Sequence, residues 1–360
     1  MKKIYYLRLW LIAAMLSVAY SASAYDIVFD KLYYNLNETE RTAEVTYYYL
    51  GDQLNPGFYE GDITISSAII CDGIKYTVAS IGDRAFAYCT KLTSVTIPES
   101  VTEIGDGAFF GCDALTSLTI PNSVTSIGES AFSHCRGLTS VTISNSLTKI
   151  SNVAFSYCSK LTSVTIPESV TEIGDEAFVS CVTLTSLTIP NSVTSIGDRA
   201  FSHCYGISKI TIPKTVKTIG SKTFDCNDNL EVYVEWGDPS DETLSFAQQP
   251  FSDAIMQYGK LFVPEGTKTI YEQYDPWRNF FTIEEYTVDG IEEIKVDGGV
   301  TIGVEGSTIV VNSAGDAKVE VFGTTGSAVY SGSADKLPEL AAGIYIVRVG
   351  STVKKVAVAQ

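Results

Sequence analysis

The stretch LTSVTIPESVTEIGD at residues 92–106 recurs letter for letter at residues 161–175. LTSLTIPNSVTSIG at residues 115–128 recurs at 184–197, again 69 residues downstream, which is three periods of 23. Phe86, Phe109, Phe132, Phe155, Phe178, Phe201 and Phe224 mark seven copies of the 23-residue period without a slip. A period of this length restricts the chain to an architecture of stacked units, because one copy cannot bury an apolar face alone.

Within a copy the pattern is L-x-x-V/L-x-I-P-x-x-V-x-x-I-G-x-x-A-F-x-x-C. Leu92, Val95 and Ile97 read as a strand with Ser94 and Thr96 on its other face, since strand side chains alternate. Val101 and Ile104 read as a second short extended stretch. Asp106-Gly107-Ala108-Phe109 reads as a single helical turn with Asp106 as N-cap. Gly82, Gly105, Gly128, Gly174, Gly197 and Gly220 mark the intervening bend, with Ser151 as the one replacement.

Cys89, Cys112, Cys135, Cys158, Cys181 and Cys204 keep the same 23-residue spacing, Cys226 falls one residue short, and Cys71 lies outside the series. One cysteine per coil at one position makes a column about 5 Å in step, the spacing of adjacent strands. Side chains in such a column point the same way, which disfavours the disulfide geometry. The residues read as small buried apolar groups.

LTSVTIPESVTEIGDGAFFGC resembles the leucine-rich repeat of the BspA-type family of bacterial surface proteins, strongly over 81–230 and more weakly over the flanking segments. The resemblance implies a leucine-rich-repeat solenoid whose strand face lines a concave binding surface. It also implies adhesion to host matrix proteins or to other bacteria. The whole reading is mainly β: 23-residue coils with N- and C-terminal caps, followed by a small antiparallel β-sandwich.

The ends divide the chain further. Residues 1–24 carry Lys2, Lys3 and Arg8, a short apolar run and Ala22-Ser23-Ala24, the pattern of a secretory signal peptide. Residues 25–80 alternate without repeating and read as an N-terminal β cap. Residues 81–230 are the repeats. Residues 231–286 read as degenerate repeats and a C-terminal cap, with Trp277, Phe280, Phe281 and Ile283 supplying bulky apolar groups. Trp236 and Trp277 seal the core end in one reading and form a sugar-stacking surface in the other. From 287 to 360, six short runs at 300–304, 308–311, 318–322, 328–330, 344–349 and 353–358 suggest the sandwich. Its ending, LAAGIYIVRV followed by Lys354-Lys355-Val356, resembles C-terminal sorting domains of the type IX secretion pathway. A sandwich retained on the protein is the alternative.

No catalytic constellation appears. G-x-S-x-G and the phosphate loop are absent, and the many carboxylates recur with the repeat whereas an active site is singular. His134 and His203 sit three coils apart, roughly 15 Å at strand spacing, too far to share a metal. Asp238, Asp241 and Glu242 match no calcium motif. The reading therefore includes no enzyme, no cofactor and no metal. A net charge of -17 from 42 acidic and 25 basic residues argues against nucleic acid, and past the signal segment no run is long and apolar enough for a membrane helix.

What remains is a stripe of outward strand residues: Ser94, Thr96, Ser117, Thr119, Ser140, Thr142, Ser163, Thr165, Ser186, Thr188, Lys209 and Thr211. These are the candidate ligand-binding residues of a monomeric, exported, cell-surface or secreted protein, outer-membrane association included. The ligand is a protein or a glycan on the concave face. A structural envelope spacer without a ligand is the alternative reading, and an enzyme a remote one. Positions where the copies differ, Phe110, Arg136, Tyr157, Val179 and Tyr205, are where any specificity resides.

Overall fold

The computed structural model describes residues 25–47, 49–50, 53–54, 59–241, 243–247, 249–286, 301–305, 308–312, 318–323, 328–333, 343–349 and 352–358. The signal-peptide segment 1–24, Glu242 and the linking residues 287–300 lie outside them. The fold is a β-solenoid of 23-residue coils with few helices. The chain divides into two compact units, the first from residues up to 147 with 151–161, the second from 148–150 with 162 onward.

In the first unit, Leu32–Asn37 pairs antiparallel with Thr42–Thr46, which pairs parallel with Ile74–Ile81. Glu103–Ile104 and then Ser126–Ile127 extend the same sheet in parallel, each shifted by one coil. The nonrepeating N-terminal segment therefore begins the ladder that the repeats continue. Behind the sheet, Phe86, Phe109, Phe132 and Phe155 stack face to face with centroids 4.9, 5.3 and 5.3 Å apart. Tyr59 closes this column, 4.9 Å from Phe86. Its hydroxyl donates to the Thr46 carbonyl at 3.0 Å and accepts from the Tyr33 amide at 3.2 Å, so the polar atom this ring carries into the core is satisfied.

Seven of the eight cysteines are buried in the repeats and Cys71 is half-buried, with no disulfide among them. Cys112, Cys135 and Cys158 each donate Sγ–H to the phenylalanine carbonyl 26 residues earlier, at 3.1, 3.2 and 3.3 Å. In the second unit Cys204 does the same to Phe178, and Cys226 reaches Phe201 at 3.0 Å across 25 residues. The one-residue shortfall in the sequence series is thus absorbed before the thiol, and the acceptor is unchanged. Burial pushes the thiols of Cys158 and Cys226 well up; for Cys112 the hydrogen bond with Cys135 comes first and burial second.

The helical turn expected at Asp106–Phe109 does not form. The segment is a ribbon of successive tight turns. Ala85, Ala87 and Cys89 amides bond three residues back, while Arg84, Phe86 and Tyr88 amides bond the carbonyls of Asp106, Ala108 and Phe110 in the next coil. The alternation requires left-handed backbone twice per coil: Arg84 and Tyr88 have φ of 56° and 60°, and Val153 and Tyr157 have 59° and 57°. Asp106 is no N-cap. Its Oδ1 accepts the Glu129 amide at 2.7 Å, as Asp83 Oδ1 accepts the Asp106 amide at 2.8 Å, so this aspartate clips one coil to the next.

The second unit carries three ladders. Ser163–Thr165 pairs parallel with Ser186–Thr188. Lys149–Ile150, Glu172–Ile173, Ser195–Ile196, Thr218–Ile219 and Ser245–Phe246 pair in sequence. Lys209–Ile212, Glu231–Val234, Lys260–Pro264 and Thr282–Tyr286 form the third. Phe178, Phe201, Phe224 and Phe251 stack at 5.5, 5.8 and 5.5 Å, and Trp277 closes the column 5.7 Å from Phe251. A helix at Asp253–Tyr258, capped by the Ser252 hydroxyl, packs at this end. The last segment gives a hairpin, Thr301–Glu305 with Thr308–Asn312, and an antiparallel sheet ordered Ala328–Ser333, Lys318–Gly323, Gly343–Val349, Thr352–Val358. All six strands fall within three residues of the expected runs.

Candidate binding face

Alternation along each short strand buries the central aliphatic residue and exposes its two neighbours. In the first unit Leu118 and Val141 are buried, and Ser117, Thr119, Ser140 and Thr142 are exposed beside one another in register. Thr96 is exposed too. Ser94 is not free: its hydroxyl and that of Thr93 both donate to Asp62 at 2.7 Å, and these bonds hold the Asp62 carboxyl below its usual range. The stripe in this unit thus starts on a committed carboxylate–hydroxyl cluster, and Thr96 is its first available hydroxyl.

In the second unit Ser163, Thr165, Ser186, Thr188, Lys209 and Thr211 are all exposed. Ser186–Thr188 belongs to one ladder and Lys209–Ile212 to another. A depression of about 480 Å³ lies over this change, lined by Glu168, Ser186, Thr188, Lys209, Thr211 and Glu235 among others. Beyond it the two columns change chemistry. Thr211 is followed in register by Tyr233 and Phe262, whose rings stack at 4.3 Å, and Lys209 by Glu231 and Lys260. The Lys209 ammonium sits 4.1 Å above the Tyr233 ring, a cation–π contact that fixes it at the depression's rim.

The residues that differ between copies have separate fates. In the first unit Tyr88, Phe110, His134 and Tyr157 form a ladder along the turn edge, with centroids 5.2, 5.1 and 4.5 Å apart. Arg136 flanks it, 3.3 Å from His134 Nδ1 and 3.4 Å from Asp113. Burial, then Arg136, lowers the His134 pKa and favours the neutral imidazole that stacks on Tyr157. Tyr88 also belongs to the ladder, and the sequence signal for it is its place at the repeat position of His134 and Tyr157, 46 and 69 residues before them. In the second unit the Tyr205 hydroxyl lies 2.8 Å from His203 Nδ1. Val179 is only 6% exposed, so it packs in the core and cannot act in recognition.

Trp236 and Trp277 are 4% and 0% exposed, which makes them core seals and removes the sugar-stacking reading for both. The Trp236 indole donates to the Val216 carbonyl at 3.0 Å. Phe281, expected among the sealing groups, is instead 85% exposed. Four bulky residues in so short a stretch cannot all face one side; Phe280 and Ile283 take the inward places. Asp238 accepts the Ser240 hydroxyl and then its amide, and Asp241 accepts the Thr243 amide, local turn bonds that hold both carboxyls low. Among the described residues no group of three or more metal-ligating side chains converges, and no helix there is long and apolar enough to cross a membrane.

The family described as BspA type Leucine rich repeat region, in six copies, matches residues 72–185 and 148–272, more than half of the chain. Among solved structures, a leucine-rich repeat protein from Bacteroides ovatus is 25% identical, with a TM-score of 0.43 over 73% of this chain and 77% of that one. One from Eubacterium ventriosum is 29% identical, with a TM-score of 0.45 over 54% and 50%. A leucine rich cell surface protein from Faecalibacterium prausnitzii is 23% identical, with a TM-score of 0.40 over 72% and 94%. No curated protein matches the chain.

Proposed function

The chain belongs to the BspA-type leucine-rich-repeat family, and from that premise we propose that it is an exported cell-surface adhesin that holds a protein or glycan on its strand face. One observation carries the reading. In the second unit the exposed hydroxyl rows run into a depression bordered by a pinned Lys209 and by Glu168 and Glu235, a local departure from an otherwise uniform repeat. Uncharged hydroxyls donate and accept without the desolvation penalty of ions, and the flanking charges fix a ligand's orientation. On this reading residues 1–24 direct export, 25–80 cap the repeats of 81–230, 231–286 close them, and 287–360 act in sorting.

The test uses the full exported chain, whose intact mass also reports any cleavage at either end. Binding to immobilised matrix glycoproteins and to whole bacterial cells is compared with that of Thr188→Asp/Thr211→Asp. Both positions are exposed, so the pair leaves folding intact. A loss of about tenfold or more, about 1.4 kcal/mol, supports the strand face; unchanged binding removes it. The second reading, an envelope spacer, draws on the identity of residues 92–106 with 161–175, and wild-type protein that holds none of these probes would favour it.

A further inference from the structure

We propose that the C-terminal end of the second unit carries a separate binding site for a neutral oligosaccharide, centred on Phe281. Its backbone is fixed: the Phe281 amide donates to the Met256 carbonyl at 2.8 Å and the Phe280 amide to the Trp277 carbonyl at 3.1 Å. Phe280 turns inward onto Phe251 at 5.2 Å. Phe281 then points the other way and is 85% exposed, the most exposed large apolar side chain among the described residues. An aromatic ring held on rigid backbone with its faces in water stabilises nothing in the fold.

The ring borders a depression of about 980 Å³, at the upper end of small-ligand sites. Met256 and Phe280, both buried, line it too, and the rest of its wall is polar and planar: the amides of Gln249, Gln257 and Asn279, the carboxylates of Asp253 and Asp275, and the Arg278 guanidinium. Part of this wall is set in advance. Arg278 donates Nε–H to Asp275 at 2.8 Å and pairs through Nη2 at 2.7 Å, and Asn279 Nδ2 donates to the same carboxylate at 3.2 Å. Groups held before binding lose little entropy when a ligand arrives.

The charge balance selects the ligand class. Asp275 neutralises Arg278, and Asp253 carries no ion pair among the described residues. An anion therefore meets a net negative wall. A protein partner would want an apolar centre drained of charge, whereas this wall offers one exposed ring, Phe281, amid amides and carboxylates, with Phe280 and Met256 buried behind it. A pyranose matches both features. Its axial C–H face lies flat on an aromatic ring, whose face is electron-rich. Its neighbouring hydroxyls pair with planar amides and carboxylates, two bonds to a group.

The experiment titrates the full chain with cellotetraose, maltotetraose and the tetramer of N-acetylglucosamine by calorimetry, with tetragalacturonate as the charged comparison. At least one neutral tetramer binds, tetragalacturonate binds more weakly, and Phe281→Ala lowers the affinity on the order of tenfold. Phe281→Trp retains binding and its added tryptophan emission shifts to the blue on saturation. Thr188→Asp/Thr211→Asp binds the tetramer unchanged, which separates this site from the strand face. The proposal is overturned if no neutral tetramer binds at millimolar concentration, if Phe281→Ala binds as wild type does, or if the acidic tetramer binds best. Phe281 is exposed, so matched urea midpoints for the variants show that folding is not in question.

Discussion

Replacing Gly128 by alanine tests whether the coils are clipped as closely as the aspartate ladder implies. Gly128 has no special backbone angle; what it lacks is space. A Cβ there would stand 2.4 Å from both the amide nitrogen and Oδ1 of Asp106, and 2.5 Å from the Gly105 carbonyl carbon. Two of these neighbours are backbone, so no side-chain rotation relieves the clash and the coils must part by about 1 Å to restore van der Waals distance. Parting them loosens the bonds from the Gly128 amide to Ile104 and from the Glu129 amide to Asp106 Oδ1, both 2.7 Å. Overpacking costs about 1–3 kcal/mol, and each weakened inter-coil bond adds about 1 kcal/mol. Gly128→Ala should therefore lose about 3–5 kcal/mol. Urea unfolding followed by far-ultraviolet circular dichroism measures it, as a lower midpoint at unchanged slope. Ser151→Gly is the control, because Ser151 fills the glycine place one coil later. The coil before it carries Glu129, whose carboxylate accepts from the Asn152 side-chain Nδ2 at 3.2 Å. That control should cost no more than about 1 kcal/mol, for the lost hydroxyl bond to Ile127. A loss within about 1 kcal/mol of zero for Gly128→Ala would refute the close-approach argument.

Val153 holds a β-branched side chain at φ 59°, where Gly107 in an equivalent coil has 57°. Left-handed backbone costs an L-residue about 1–2 kcal/mol, so Val153→Gly should gain up to about 1 kcal/mol after its added unfolded-state entropy. Gly107→Val should lose about 1–2 kcal/mol, and opposite midpoint shifts in urea check the pair; shifts of the same sign would count against the strain. The buried thiols should be silent to a thiol reagent in native protein, leaving only the half-buried Cys71 to react slowly, and all eight should react in urea. Folding raises the thiol pKa of Cys112, Cys158 and Cys226, so the unfolded chain releases these protons first. Stability is then fully present below the unfolded thiol value, about 8.5, and falls as pH rises above it. Each of these three thiols contributes up to about 1.4 kcal/mol per pH unit, and flat stability between pH 8 and 10 would exclude this linkage.

The coil length, the inward set Leu92, Val95, Ile97, Val101 and Ile104, and the phenylalanine and cysteine columns were legible because each follows from a period. A repeat of 23 fixes register directly, and alternation in Ser94-Val95-Thr96 fixes the strand face. The turn ribbon was not legible. Its left-handed positions hold Arg84, Tyr88, Ser130 and Val153, residues that carry no local sign of positive φ. Asp106 misled for a related reason: an aspartate before a turn looks alike whether it accepts an amide three residues on or 23 residues on. Ser94 carries no sequence sign of its bond, because Asp62 lies 32 residues away in a segment that does not repeat. Val179 looked distinctive because it differs from its counterparts, but difference marks a position without saying which way its side chain points.

A chain built by copying can acquire a singular site in only two ways, and the geometry shows both. One is divergence at an exposed position of a coil, as with Tyr88, Phe110, His134 and Tyr157. There the rings spend part of their surface on one another; His134 and Tyr157 are parallel within 5° at 4.5 Å, so each covers one face of the other. Such a ladder rigidifies the turn edge more than it offers a platform. The other is the point where copying stops. At the C-terminal end the column that was Thr188 and Thr211 becomes Tyr233 and Phe262, and the turn ribbon gives way to a helix and the Phe281 turn. An end unit must cover a core without itself being covered, so its sequence is released from the repeat's constraint on both faces. Aromatic residues recruited there to close the core, such as Trp277 and Phe280, leave neighbours like Phe281 with no inward place to occupy. A sealing segment thus generates an exposed, rigidly held aromatic as a by-product, and at this end polar planar groups stand around it.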